Sequence, residues 1–171
     1  MDLKEKIRVI EDFPKEGISF KDITTLIKDP KALRYTINHL VIHVEDDVDY
    51  VVGPEARGFI FGTAVAYQLG IGFIPVRKPG KLPGDVVSIE YELEYGTDKI
   101  EITKDALKPG DKVVLVDDLL ATGGSFLAAA KAVEALGGEV VKIVAVMELT
   151  DLKGRENLSK YNVESLVQYD N

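Results

Sequence analysis

The sequence predicts an α/β domain: a mostly parallel, twisted sheet flanked by helices, with a small flexible hood and hairpin. Three observations carry this. The aliphatic runs in DYVVG (49–53), GFIPVR (72–77), VVLV (113–116) and EVVKIVAVMEL (139–149) are right for buried strands. Helix-forming stretches separate most of them, and strands alternating with helices argue for a parallel sheet covered on both faces. With 171 residues, 46% apolar and 29% charged, the chain can bury one core, and no linker or repeat divides it.

Taken in order, Leu3, Ile7 and Ile10 recur at helical spacing with Pro14 beyond them, which predicts a short N-terminal helix. Residues 12–30 are turn-rich and poorly periodic and read as an irregular hood loop. Asp29-Pro30 is a cap followed by a first helical position, and Leu33, Ile37, Leu40, Val41 and Val44 form the apolar stripe of the helix it starts. His39 and His43 fall opposite that stripe, a solvent-facing pair rather than a metal site. A helix follows the 49–53 strand at about 58–69, with Gly70 as its stop. KPGKLPG (78–84) is a turn or a mobile loop. Residues 86–102 alternate around EYGTDK as a projecting hairpin. A helix from about 124 to 136 ends at Gly137-Gly138, and VESLVQY is the last strand.

Cysteine is absent, which excludes disulfides and Cys-based metal sites. The N-terminus lacks the apolar region of a signal peptide, and no run approaches a membrane span. These features predict a cytoplasmic protein. A formal net charge of −8 argues against nucleic-acid or membrane partners. An anionic ligand therefore needs a local site.

VVLVDDLLATGGS (113–125) supplies one. A buried strand ends in Asp117 and Asp118, and a glycine turn leads into a helix. In open parallel sheets ligands bind beyond the carboxyl ends of the strands. Glycines let backbone approach a ligand, and N–H groups at a helix start favour phosphate. Thr122 and Ser125 add hydroxyls. Adjacent carboxylates suit sugar hydroxyls or hydrated Mg²⁺, the latter near Asp117. The pattern reads as a sugar-phosphate site. A second signal lies upstream. Twenty-nine acids in 171 residues would place about five between Ala56 and Gly84 if scattered evenly, yet that window has none. Its charges are Arg57, Arg77, Lys78 and Lys81, all positive, as a polyanion site requires.

The 113–125 string resembles the signature of the type I phosphoribosyltransferases. The stretches DFPKEGISFKDITTLIKDP (12–30), GPEARGFIFG (53–62), VRKPGKLPG (76–84), LEYGTD (93–98) and LTDLKGR (149–155) are similar to the adenine-using members. Glu16, where proline is expected, and Lys21, where arginine is common, depart from that pattern. The resemblance implies transfer of phosphoribosyl from phosphoribosyl pyrophosphate (PRPP) to adenine, giving AMP and pyrophosphate in purine salvage. It implies Mg²⁺ as cofactor and a homodimer. Other purine bases, and a non-catalytic PRPP sensor, are the alternatives. Asp117, Asp118, Ala121, Thr122, Gly123, Gly124 and Ser125 would hold ribose and 5-phosphate. Glu55, Ala56, Arg57, Arg77, Lys78 and Lys81 would hold pyrophosphate, with a cis bond at Glu55–Ala56 and Lys81 reaching from a neighbouring subunit. Ile18, Ser19, Phe20, Lys21 and Leu119 would hold adenine, with Leu120 also walling the pocket. Glu94 and Tyr95 would be catalytic, on a mobile flap.

Overall fold

The computed structural model describes residues 1–44, 47–92 and 96–170. The N-terminal helix expected from Leu3, Ile7 and Ile10 is a single 3-10 turn, Leu3–Lys6, followed by strand β1, Arg8–Glu11. The hood is therefore partly sheet: β1 pairs antiparallel with β2, Ser19–Asp22, inside the segment read as irregular. The β-branched Val9 and Ile10 suit a strand, and the long-range pairing with β2 overrides the helical spacing. Arg8 donates to Asp22 at 2.5 Å, tying the two strands. Helix α1 (Thr24–Lys28) and helix α2 (Pro30–Ile42) follow. Asp29 caps α2 by accepting from the N–H groups of Lys31 and Ala32.

Next come β3 (Tyr50–Pro54), α3 (Arg57–Leu69), β4 (Gly72–Val76), β5 (Val86–Glu92), β6 (Thr97–Thr103), β7 (Lys112–Leu120), α4 (Gly124–Ala135) and β8 (Glu139–Leu149). A second 3-10 turn, Thr150–Leu152, leads to the short α5 (Gly154–Asn157) and to β9 (Val163–Tyr169). The central sheet has the order β4-β3-β7-β8-β9, and every pair is parallel. From β3 the chain moves first to one side and then, through β7, to the other. The order reverses between β3 and β7, and such a switch point opens a crevice at the strands' carboxyl ends.

Side chains alternate across the sheet. Val52, Val113, Leu115, Ile143 and Ala145 pack with Phe126, Ala129 and Val133 of α4 on one face. Val51, Val114, Val116, Val144 and Val146 pack with Phe61 and Val65 of α3 and Leu40 of α2 on the other. These two-sided strands explain the unbroken aliphatic runs. The β5–β6 hairpin is antiparallel, with Ser88, Glu90 and Glu92 exposed. It is less of an appendage than its alternation suggests. Ile100 and Ile102 are buried in the α4-side core, and Arg77 bridges to Glu101 by backbone bonds. The histidine pair also differs from expectation. His39 and His43 are half-buried and line a small cavity with Tyr35, Asp2 and Ser165, and His39 stacks on Tyr35. The N-terminal turn and β9 cover that side of α2. Among the described residues no helix is long and apolar enough to cross a membrane.

Candidate active site

β7 runs three residues past the point where the sequence turns polar, so Asp117 and Asp118 lie within the strand rather than beyond it. Alternation then sends neighbours to opposite faces. Asp118 is 3% exposed and accepts from Arg57 Nε at 2.5 Å. Asp117 faces the cleft, its Oδ1 accepting from the Asp118 N–H at 2.8 Å. Gly58, in the first turn of α3, makes room: a Cβ there would stand 2.8 Å from Pro54 and 3.0 Å from Asp117 Oδ1. The packing at the end of β7 corrects one expectation: Leu120 turns into the α4-side core with Val113 and Leu115. Leu119 lines the cleft, but Leu120 is fully buried in the core and does not.

The turn after β7 forms a cavity of about 170 Å³ lined by Arg57, Asp117, Asp118, Leu119, Ala121, Thr122, Gly123, Ser125 and Phe126. Gly123 takes a left-handed φ of +87° as the residue before α4, a conformation glycine adopts without penalty. Among the described residues no side chain caps α4, and only Thr122 Oγ1 reaches back, accepting from Gly124 N–H at 3.3 Å. The opening of α4 thus presents N–H groups to the cavity that Ser125 and Phe126 line. Gly124 lies under Tyr91 and Glu92 of the hairpin.

A second cavity, about 80 Å³, adjoins the first and shares Asp117 and Ser125 with it. Glu55, Arg77, Lys78 and Tyr91 form its polar wall. The Glu55–Ala56 peptide bond is cis. The window without acids does place cations here, but they are not free of carboxylates. Arg77 Nε donates to Glu55 at 3.2 Å, and the Lys78 N–H donates to the same oxygen at 2.7 Å. Lys78 Nζ bonds Asp98 and reaches Tyr91 Oη at 3.3 Å. Arg57 has Asp118. The acids come from outside the window, delivered by β7, the β3 end and the hairpin. Separation in sequence is therefore not separation in space.

The burial of Asp117 and the charge of Asp118 push its carboxyl well above the ordinary carboxylate range, against a smaller pull from Arg57. Such a group favours a bound cation or hydroxyl donors. Among the described residues no cluster of three or more His, Asp or Glu could hold a metal.

The remaining expected residues are more dispersed. Ile18 adjoins β2, which carries Ser19, Phe20 and Lys21. Phe20 meets Phe13 edge to face at 5.1 Å between centroids, and Lys21 Nζ donates to Ser19 Oγ at 2.6 Å and sits over the Tyr169 ring. Ala56 precedes α3, and Lys81 is exposed on the turn after β4. Glu94 and Tyr95 lie outside the described residues. Tyr91 and Asp98 join the cleft without having been expected there. Strand period placed Tyr91 opposite the wet Glu90 and Glu92, so it could have been found. Asp98 required the fold.

Residues 19–171 match the phosphoribosyl transferase domain family. The chain is 64% identical over 171 residues to the adenine phosphoribosyltransferase of Clostridium beijerinckii, covering 99% of both chains. The crystal structure of the Thermoanaerobacter pseudethanolicus adenine phosphoribosyltransferase superposes with a TM-score of 0.95 at 56% identity, over 98% of each chain. The Saccharomyces cerevisiae enzyme, complexed with adenine and an imino-altritol bisphosphate, gives a TM-score of 0.92 at 43% identity over 96% of each. With near-complete coverage in both directions and a shared fold, the chain belongs to the adenine phosphoribosyltransferases.

Proposed function

We propose that this chain, acting as one domain with a hood at 1–30 and a hairpin flap at 86–102, converts adenine and PRPP into AMP and pyrophosphate. One observation carries the reading: Asp117 stands where a glycine-turn cavity and a cation-walled cavity meet. PRPP has the matching shape, a 5-phosphate on one side of a ribose and a pyrophosphate on the other. Ala121 to Ser125 hold the 5-phosphate through backbone N–H groups and hydroxyls. Asp117 and Asp118 accept from the ribose hydroxyls. Arg57, Arg77, Lys78 and Lys81, with the Glu55–Ala56 turn, take the pyrophosphate and stabilise it as it leaves. Ile18, Ser19, Phe20, Lys21 and Leu119 enclose the adenine; that adenine is the base is supported by the yeast relative, whose structure is a complex with adenine. Glu94 manages the proton lost by the purine, and Tyr95 covers the site against water.

The residues fit Mg²⁺ that arrives with the ligand. Asp117, strained by burial and by its neighbour, is the group that would meet it. When bound, the ion neutralises charge on the pyrophosphate. A second copy of the chain fits the groove between α2 and α3, where Tyr67 is 88% and Ile60 42% exposed beside Leu33, Ile37 and Phe59. A cytoplasmic location is consistent with a chain that has no cysteine.

The test is purified protein with PRPP, Mg²⁺ and each purine base in turn. AMP from adenine alone is the expected result. Product from hypoxanthine, guanine or xanthine instead would reassign the base, and PRPP binding without turnover would make the chain a sensor. For the flap, Glu94→Gln should lower kcat by about 10²–10⁴-fold, with Glu90→Gln near wild type.

A further inference from the structure

The phosphate turn is held by an element that the sequence gives no reason to connect with it. Asn157, the last residue of α5, donates from Nδ2 to the Thr122 carbonyl at 2.7 Å. In a planar trans peptide the C=O and the following N–H point in opposite directions. With the Thr122 oxygen held toward Asn157, the Gly123 N–H points away from Asn157, and Thr122 and Gly123 both line the phosphate cavity. The turn itself does not enforce this. Glycine accepts φ of either sign, so the Thr122–Gly123 peptide could flip. A flip would aim a carbonyl at the anion in place of a donor.

We infer that Asn157 is a positioning residue that selects the phosphate-binding orientation of the Thr122–Gly123 peptide. Its platform is well anchored. A Cβ on Gly154 would stand 2.5 Å from the Ala121 carbonyl, and one on Gly123 would stand 2.8 Å from the Gly154 carbonyl. The two backbones are thus in direct contact. Arg155, next along α5, grips Glu148 through Nε and Nη2 at 3.0–3.1 Å and donates to the Val163 carbonyl at 2.8 Å. Glu148 is itself 4% exposed and accepts from Ser165 Oγ at 2.7 Å. The carboxyl end of β8 and the first residues of β9 thereby fix α5, and α5 fixes the turn.

This inference rests on the reading that the turn holds the 5-phosphate. Asn157→Ala, Asn157→Asp and Asn157→Gln in the whole chain test it, with AMP and pyrophosphate titrated separately by calorimetry alongside steady-state kinetics. One neutral hydrogen bond corresponds to a loss of about threefold to tenfold. In Asn157→Ala the AMP Kd and PRPP KM should rise by that factor. Saturated kcat should stay within about twofold, pyrophosphate affinity should be unchanged, and Tm should fall by no more than the few degrees that one hydrogen bond accounts for. Asn157→Asp, which offers no donor and adds a charge, should lose more; Asn157→Gln, which keeps the amide, should lose less. Unchanged AMP affinity in both Ala and Asp variants would overturn the inference. So would parallel losses of AMP, pyrophosphate and Tm, which mark general loosening. Gly123→Val separates the two levels. If it loses AMP while the Asn157 variants bind normally, only the positioning role falls. If folded Gly123→Val binds AMP normally, the reading of the turn falls with it.

Discussion

In the cleft without ligand, Asp117 is held in a place that opposes its own charge. Burial first, and the Asp118 charge second, raise its pKa. A carboxyl raised on folding binds more protons in the native state than in the unfolded chain. Native stability therefore falls as pH rises from the ordinary aspartate value through the raised one, and stays reduced above it. Asp117→Asn keeps the Oδ1 acceptor for the Asp118 N–H and removes the charge. The ligand-free variant should melt about 2–4 °C higher at pH 7.5 for each ~1 kcal/mol relieved. The gain should shrink toward zero near pH 4, while PRPP turnover is lost. Scanning calorimetry at several pH values checks the slope; a constant gain at every pH would refute it. The place of this residue was legible, because an aliphatic run that ends in two acids before a glycine turn puts them at the carboxyl end of a strand, where the cleft lies. Its strain was not, because burial depends on Gly58 and Pro54, far from it in sequence.

Among the elements, the hairpin carries the main lesson. Its strands were readable from period-2 alternation, and Glu90 and Glu92 face water as that period requires. Its docking was hidden, because Ile100 and Ile102 look the same on a free hairpin as on one seated against α4. Asp98 on β6 holds Lys78, so the hairpin and the cation-walled cavity share a bond. An incoming pyrophosphate competes with Asp98 for that ammonium. Asp98→Asn should therefore tighten pyrophosphate binding, by no more than severalfold since both side chains are partly exposed. It should also speed amide exchange along β5 and β6. Calorimetry and hydrogen exchange on the same sample test both, and weaker pyrophosphate binding would show that Asp98 positions Lys78 rather than masking it. The N-terminal strand and the overrun of β7 were missed for a related reason. Pairing with β2 decides the first, and pairing with β8 through Leu120 decides the second. Neither partner is adjacent in sequence.

For the molecule as a whole, the sheet order follows from strands and helices that were mostly visible in the sequence, while the faces it leaves uncovered were not. The α2–α3 groove is the clearest of these. On the proposal that a second copy covers it, Tyr67→Asp should convert that dimer to monomers in sedimentation velocity without unfolding the chain, since Tyr67 is 88% exposed. An unchanged sedimentation coefficient would refute this groove as the contact. The paired cations of the cleft have a kinetic consequence. Arg57, Arg77 and Lys78 each face a carboxylate before any substrate arrives, and the chain carries a net charge of −8. A polyanion diffusing toward this surface meets no attractive field at a distance, only general repulsion. Ions in solution screen that repulsion, over about 8 Å at physiological strength. Stopped-flow association of PRPP should therefore quicken, not slow, as salt is raised from low to moderate concentration. The binding partners of the phosphates become available only after first contact, one carboxylate at a time.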